Sequence, residues 1–145
     1  MKNIFEAIRE DHDIQRDLCD RLTKTEGATD ERKQLFRKLK NELHIHADAE
    51  ERFFYVPLIN EDMTQVYARH GIAEHHEIDE LIETLEKTEM DSPAWLVYAK
   101  QLCEKVEHHL KEEEHTFFQL AGKVMTESQK TSLAEEYESS MKENR

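Results

Sequence analysis

The stretch His46-Ala47-Asp48-Ala49-Glu50-Glu51 is echoed by His109-Leu110-Lys111-Glu112-Glu113-Glu114, and in each a histidine and a glutamate stand four residues apart. On a helix both side chains then leave one face, about 6 Å apart along the axis. The echo lies 63 residues downstream, and two single histidines, His12 in Glu10-Asp11-His12-Asp13 and His75 in Ala73-Glu74-His75-His76, share that offset. A repeat this long, in only two copies, is not a solenoid. Two helical hairpins related by a pseudo-twofold axis, closing a four-helix bundle around a two-metal site, account for it.

Composition agrees with an all-α chain. Charged residues make up 37% of the 145, with only three glycines and two prolines, too few for the turns of a sheet protein. The length is that of one domain. A net charge of −13 argues against nucleic acid, which needs a basic face, and against an anionic membrane surface. There is no apolar run of membrane-spanning length, and Met1-Lys2-Asn3-Ile4 leads into helical sequence with no signal peptide, so a cytoplasmic location is expected. Cys19 and Cys103 match no zinc or redox spacing and read as buried small apolar residues.

Apolar periodicity and capping signals place the elements. Helix A is expected from Ile4 to Thr23, with Asn3 and Glu6 as a capping box and Phe5, Ile8, His12, Leu18, Cys19 and Leu22 inward. Asp30 is the expected cap of helix B, which runs to about Tyr55 before Pro57 ends or kinks it, burying Leu35, Leu39, Leu43, His46, Glu50 and Phe53. Helix C covers about Ala68 to Lys87, with Ile72, His75, Ile78, Ile82 and Leu85 inward. Asp91-Ser92-Pro93 starts helix D, which carries Ala99, Leu102, Val106, His109, Glu113, Phe117 and Leu120 inward to near Gly122. The four-helix core thus spans about 4–122. Thr126 and Gln129 open an extra C-terminal helix, about 127–141, expected outside the bundle with Lys142 to Arg145 frayed.

A histidine alone on an apolar stripe is usually a hydrogen-bonded core residue, and a lone histidine–glutamate pair usually lies on a helix surface. The shared offset lifts His12, His46, Glu50, His75, His109 and Glu113 above that reading. His108 and Glu112 have the same spacing as His109 and Glu113, so the register of helix D is open on spacing alone; the repeat and the Val106–Phe117 stripe favour His109. His76 is expected exposed or beside the site, and His44, His70 and His115 fall off the inward stripes. Glu51 and Glu114 read as solvated carboxylates or as partners of the ligands, and Phe5, Phe53, Phe54, Phe117 and Tyr55 as core first, with a dry pocket for a diatomic ligand as a second role for some of them.

Burying ionised carboxylates and imidazoles costs several kcal/mol per charge unless something compensates, and a pair of divalent cations does. A glutamate can bridge two metals about 3.5–4 Å apart, with two histidines on each metal. Open positions and mixed imidazole and carboxylate ligands suit iron first, with manganese or zinc as alternatives. Ferritin-like bundles use Glu-x-x-His; here the order is His-x-x-x-Glu.

Through Asp11-His12, His46-x-x-x-Glu50-Glu51 followed by Phe54-Tyr55-Val56-Pro57, Glu74-His75, and His109-x-x-x-Glu113-Glu114 followed by Phe117-Phe118, the chain resembles the hemerythrin-like, HHE cation-binding proteins. The resemblance spans about Ile4 to Leu120. It implies an up-down-up-down bundle with a non-heme di-iron centre that binds oxygen, nitric oxide or peroxide. It also implies His12 and His46 on one iron, His75 and His109 on the other, and Glu50 and Glu113 bridging. Oxygen-carrying hemerythrins have a further histidine one turn after the helix C ligand, where this chain has Asp79, with Arg16 as its mate on helix A. Four histidines instead of five leave both irons an open position, which favours sensing, scavenging or storage over simple oxygen carriage. An enzyme reducing peroxide or nitric oxide is the alternative. Less favoured are iron delivery to damaged iron-sulfur proteins, whose relatives carry an extra Cys-containing N-terminal domain, and a metal-free helical interaction module.

Overall fold

The computed structural model describes residues 2–145, all helix and connecting turn with no strand among them. Helix α1 is Ile4–Leu22, capped by Asn3 and Glu6 in the expected reciprocal box. Helix α2, Asp30–Glu50, passes through a π turn, Glu51–Tyr55, into the single turn α3, Val56–Leu58. Helix α4 is Gln65–Glu86. Helix α5, Pro93–Glu112, is capped by Ser92 and passes through a second π turn, Glu113–Phe117, into α6, Phe118–Val124. Helix α7, Glu127–Asn144, opens with the Thr126–Gln129 capping box. The long helices run up, down, up, down, and α7 lies against α1 and α2. No helix among the described residues is long and apolar enough to cross a membrane.

Local chemistry explains where the boundaries differ from the expectation. Thr29, not Asp30, caps α2, because its extended backbone aims the hydroxyl at the Arg32 amide while Asp30 already has helical backbone. Helix α4 begins three residues before Ala68, with the buried Thr64 hydroxyl bonded back to the Leu58 carbonyl. Pro57 does not end the second helix. The Val56 amide reaches back five residues to Glu51, and Pro57 falls in the first turn of the resumed α-helix, where an amide hydrogen is not needed. The extra residue in each π turn rotates the downstream side chains about the axis: Phe54 and Phe118 are buried, while Phe53 and Leu120 are only partly so. Cys19 is buried as expected and Cys103 half-buried, the two lining one surface hollow between α1 and α5.

The C-terminal helix departs most from its expectation. It runs past Met141 to Asn144, and Arg145 is not frayed, since its guanidinium binds Asp11 and lies 2.8 Å from Glu42. Nor does α7 merely coat the bundle, because Tyr137 is fully buried among residues of α1 and α2.

Two apolar clusters fill the interior. One gathers Ile4, Ile8, Phe54, Tyr55, Phe117, Phe118 and Tyr137; the other gathers Leu22, Leu39, Ile82, Leu85, Trp95 and Leu102. Each such side chain contributes roughly 1.5–3 kcal/mol on burial. Between the clusters, at mid-bundle, lies a layer of buried polar residues.

Arg32 closes the leucine-rich end. It is buried, donates to the Thr25 hydroxyl (2.8 Å), the Thr25 carbonyl (2.6 Å) and the Met90 carbonyl (2.8 Å), and lies over the Trp95 ring. One guanidinium thereby ties the α1–α2 loop to the α4–α5 loop. Arg32→Ala leaves these carbonyls without a donor and is expected to cost about 1–3 kcal/mol in urea denaturation with an unchanged slope.

Candidate metal centre

The polar layer is assembled from all four bundle helices. His12 stands on α1, His46 and Glu50 on α2, His75 on α4, and His109 on α5 with Glu113 just beyond it; all six are buried. His109 points inward and His108 outward, where it faces Glu112 at 3.2 Å, which resolves the helix D register. His44, His70, His76 and His115 are exposed. Asp79 faces His44 at 3.3 Å and borders the small hollow beside His46 and His75.

Each glutamate spans the layer. Glu50 turns Oε2 toward His46 (3.5 Å) and His12 (4.0 Å), and Oε1 toward His75 (3.0 Å) and His109 (3.9 Å). Glu113 turns Oε1 toward His12 (3.2 Å) and Oε2 toward His109 (3.6 Å). His12, His46, Glu50 and Glu113 offer ligand atoms within 4.8 Å of one another, and so do Glu50, His75 and His109. Glu50 belongs to both groups.

Ring orientation comes from behind. The His12 Nδ1–H donates to Glu114 (2.7 Å), His75 to Glu51 (2.8 Å), His109 to Glu74 (2.8 Å) and His46 to the Tyr137 oxygen (2.6 Å). A carboxylate only accepts, so Nδ1 carries the proton and Nε2 faces the centre. Glu51 and Glu114 are therefore partners of the histidines and not simply solvated. Glu114 is in turn gripped by both Arg16 terminal nitrogens (3.1 and 2.9 Å), and Glu74 by Lys105 (3.2 Å).

Among the described residues, six buried side-chain polar atoms lack a hydrogen-bond partner: Nε2 of His12, His46 and His75, Oε2 of Glu50, Oε1 of Glu113, and the Gln15 amide nitrogen. Buried polar atoms are rarely left so. Five of the six face the centre from two sides, a donor set that fits divalent cations.

Without a metal the layer holds protons instead. Burial lowers the affinity of His12 for a proton, but Glu113, Glu114 and Glu50 outweigh it and raise the pKa to about 9. For His109, burial is likewise outweighed by Glu50, Glu74 and Glu113, raising it to about 10. Burial and the charge of Glu50 push Glu113 up, while the imidazoles hold Glu50 well below the usual range despite burial. Glu74 and Glu114 are lowered to about 2: burial opposes ionisation, but hydrogen bonds from His109 to Glu74, and from His12 and Arg16 to Glu114, prevail.

Tyr55, expected first as core, enters the centre with its hydroxyl. Its Oη lies 2.8 Å from Glu50 Oε1, in contact with Glu113, and 3.5 Å from His109 Nε2, while its ring stacks on His75. In an unbroken α-helix, residue five after Glu50 would point elsewhere; the wider π turn brings it back to the same face. Gly71 makes room, since a Cβ there would lie 2.6 Å from the Tyr55 ring. Phe118, related to Tyr55 by the 63-residue offset, stacks on His12 in the other half.

Residues 3–121 match the family of the Hemerythrin HHE cation binding domain. The chain belongs to that family. The fold of this HHE domain also matches the crystal structure of a Hemerythrin HHE cation binding domain-containing protein from Mycobacterium kansasii, with a TM-score of 0.87 and 23% identity, covering 99% of this chain and 88% of that one. Among curated proteins there is no significant match. A third group in this HHE domain, His70, Glu74 and Glu112, runs from exposed His70 to buried Glu74, which the Lys105 ammonium already opposes.

His12 and His109 titrate higher folded and metal-free than in the unfolded chain, near 6.5. The stability they add is complete below pH 6.5 and lost as pH rises through about 9 to 10. The melting temperature of metal-free protein is therefore expected to fall across this window by calorimetry. Metal-loaded protein, its imidazoles already deprotonated, does not share the decline.

Proposed function

We propose that this HHE domain is a non-heme di-iron protein that binds oxygen, nitric oxide or peroxide and serves as sensor, scavenger or store. His12 and His46 would hold one iron, His75 and His109 the other, and Glu50 and Glu113 would bridge. The observation that carries the reading is the set of five buried ligand-type atoms with no hydrogen-bond partner, facing one another across mid-bundle. Thiolate is absent from the set, which disfavours a structural zinc shell, and imidazole with carboxylate suits iron. Bound there, iron supplies one-electron redox chemistry and open positions for a small ligand.

A cavity beside the layer supports a small ligand. Gln15, Leu43, His46, Ala47, His75, Ile78, Asp79 and His109 line a space of about 10 Å³, room for one water-sized molecule. Gln15 is buried, and its amide nitrogen is the sixth atom without a partner. Leu43, Ala47 and Ile78 add apolar surface to the lining, beside Asp79. The amide can donate to a bound diatomic or peroxide, and the lining limits its size.

Tyr55 favours a second reading, an oxidoreductase acting on peroxide or nitric oxide. Its hydroxyl donates to both Glu50 and Glu113 and is placed to deliver a proton to a ligand bound beside them. Turnover with an electron donor separates enzyme from binder.

Metal content of anaerobically purified protein is expected at about two irons per chain, with charge-transfer bands on admitting oxygen. One zinc, or no metal after iron loading, would sink the proposal. In the loaded protein Gln15→Leu is expected to weaken nitric oxide or azide binding roughly tenfold, the worth of about 1.5 kcal/mol for a hydrogen bond to a charged ligand, in a spectrophotometric titration.

A further inference from the structure

The 63-residue offset pairs Glu74 with Asp11, each directly preceding a site histidine. Glu74 accepts directly from His109 Nδ1 at 2.8 Å. By the pseudo-twofold, Asp11 should accept from His46. Its side chain is one methylene shorter, and the place is taken by the Tyr137 hydroxyl from α7, a helix outside the repeat. Tyr137 donates to Asp11 Oδ2 at 2.6 Å and accepts from His46 Nδ1 at 2.6 Å. Arg145 binds the other Asp11 oxygen and is itself held by Glu42 at 2.8 and 3.1 Å. Three ring nitrogens thus face carboxylates and one faces a neutral phenol.

A carboxylate draws on Nδ1–H and makes Nε2 a stronger donor to a cation; a phenol does so less. We propose that Tyr137 is a positioning residue that makes the two metal positions unequal, leaving the one at His12 and His46 the weaker. This rests on the paired-metal reading. The arrangement is built, not incidental: Tyr137 is fully buried, its ring meets His46 edge-on with centroids 6.0 Å apart, and the last turn of the chain anchors its acceptor.

The test is a chelator-competition titration of the full chain with cobalt(II). Wild-type protein is expected to take two ions in two resolved steps. Tyr137→Phe should weaken only the weaker step, by about 10–100-fold, the usual effect of removing such a partner. Glu74→Gln, which puts a neutral acceptor behind His109, should instead weaken the tighter step and bring the two together. In the loaded Tyr137→Phe protein, one of the four hyperfine-shifted exchangeable imidazole N–H resonances should move and three should hold, which a general loosening of the fold would not produce. Equal shifts in both steps, or none, would overturn the inference while leaving the paired centre intact. Fewer than two ions on the wild-type chain would overturn the paired centre and this assignment with it.

Discussion

Charges inside the layer at mid-bundle are tolerable only when opposed, because a buried carboxylate or imidazolium without a partner costs several kcal/mol. The polar contacts around the layer answer to that constraint. Glu50 and Glu113 oppose the four inward nitrogens; Glu51, Glu74 and Glu114 hold three rings from behind; Arg16 and Lys105 then neutralise two of those carboxylates nearer the surface. Charge alternates in shells from the centre outward. The net charge of −13 is therefore partly a property of the interior, since several acidic residues serve the site and not the solvent.

The pseudo-twofold organises the centre but is broken where chemistry would differ. Tyr55 stands opposite Phe118, so a hydroxyl reaches the glutamates from one half and a bare ring from the other. Gln15 is matched by Ile78, so an amide and a bare hydrocarbon chain take equivalent places beside the small cavity. Behind the rings, Asp11 reaches His46 only through Tyr137. A symmetric frame with unsymmetric fittings leaves the two halves of the centre chemically distinct.

Much of this is legible in the amino-acid order alone. The His-x-x-x-Glu pairs, the common offset and the caps at Asn3, Ser92 and Thr126 identify the bundle and bring the six site residues together, because helix periodicity dictates which side chains share a face. The features that escape do so for physical reasons. A π turn inserts a residue into the period, so counting in steps of 3.6 places Phe53 inward and leaves Tyr55 as mere packing. Tyr137 has no counterpart in the repeat, and nothing local distinguishes a buried phenol from a half-exposed one on a helix of weak amphipathicity. Gln15 lies on the same face as His12, but a single glutamine carries no spacing to weigh. Thr29 and Asp30 are both good caps, and only backbone geometry separates them.

The polar layer also divides the apolar interior in two, with the aromatic-rich cluster on one side and the leucine-rich cluster on the other. Cooperative unfolding requires that loosening one part destabilises the rest, and apolar contact alone cannot carry that message across a sheet of charged groups. The link between the two ends is then the bond network of the centre itself. A cation held between side chains of α1, α2, α4 and α5 would tie the two clusters together across the layer, so that filling the site would couple their unfolding.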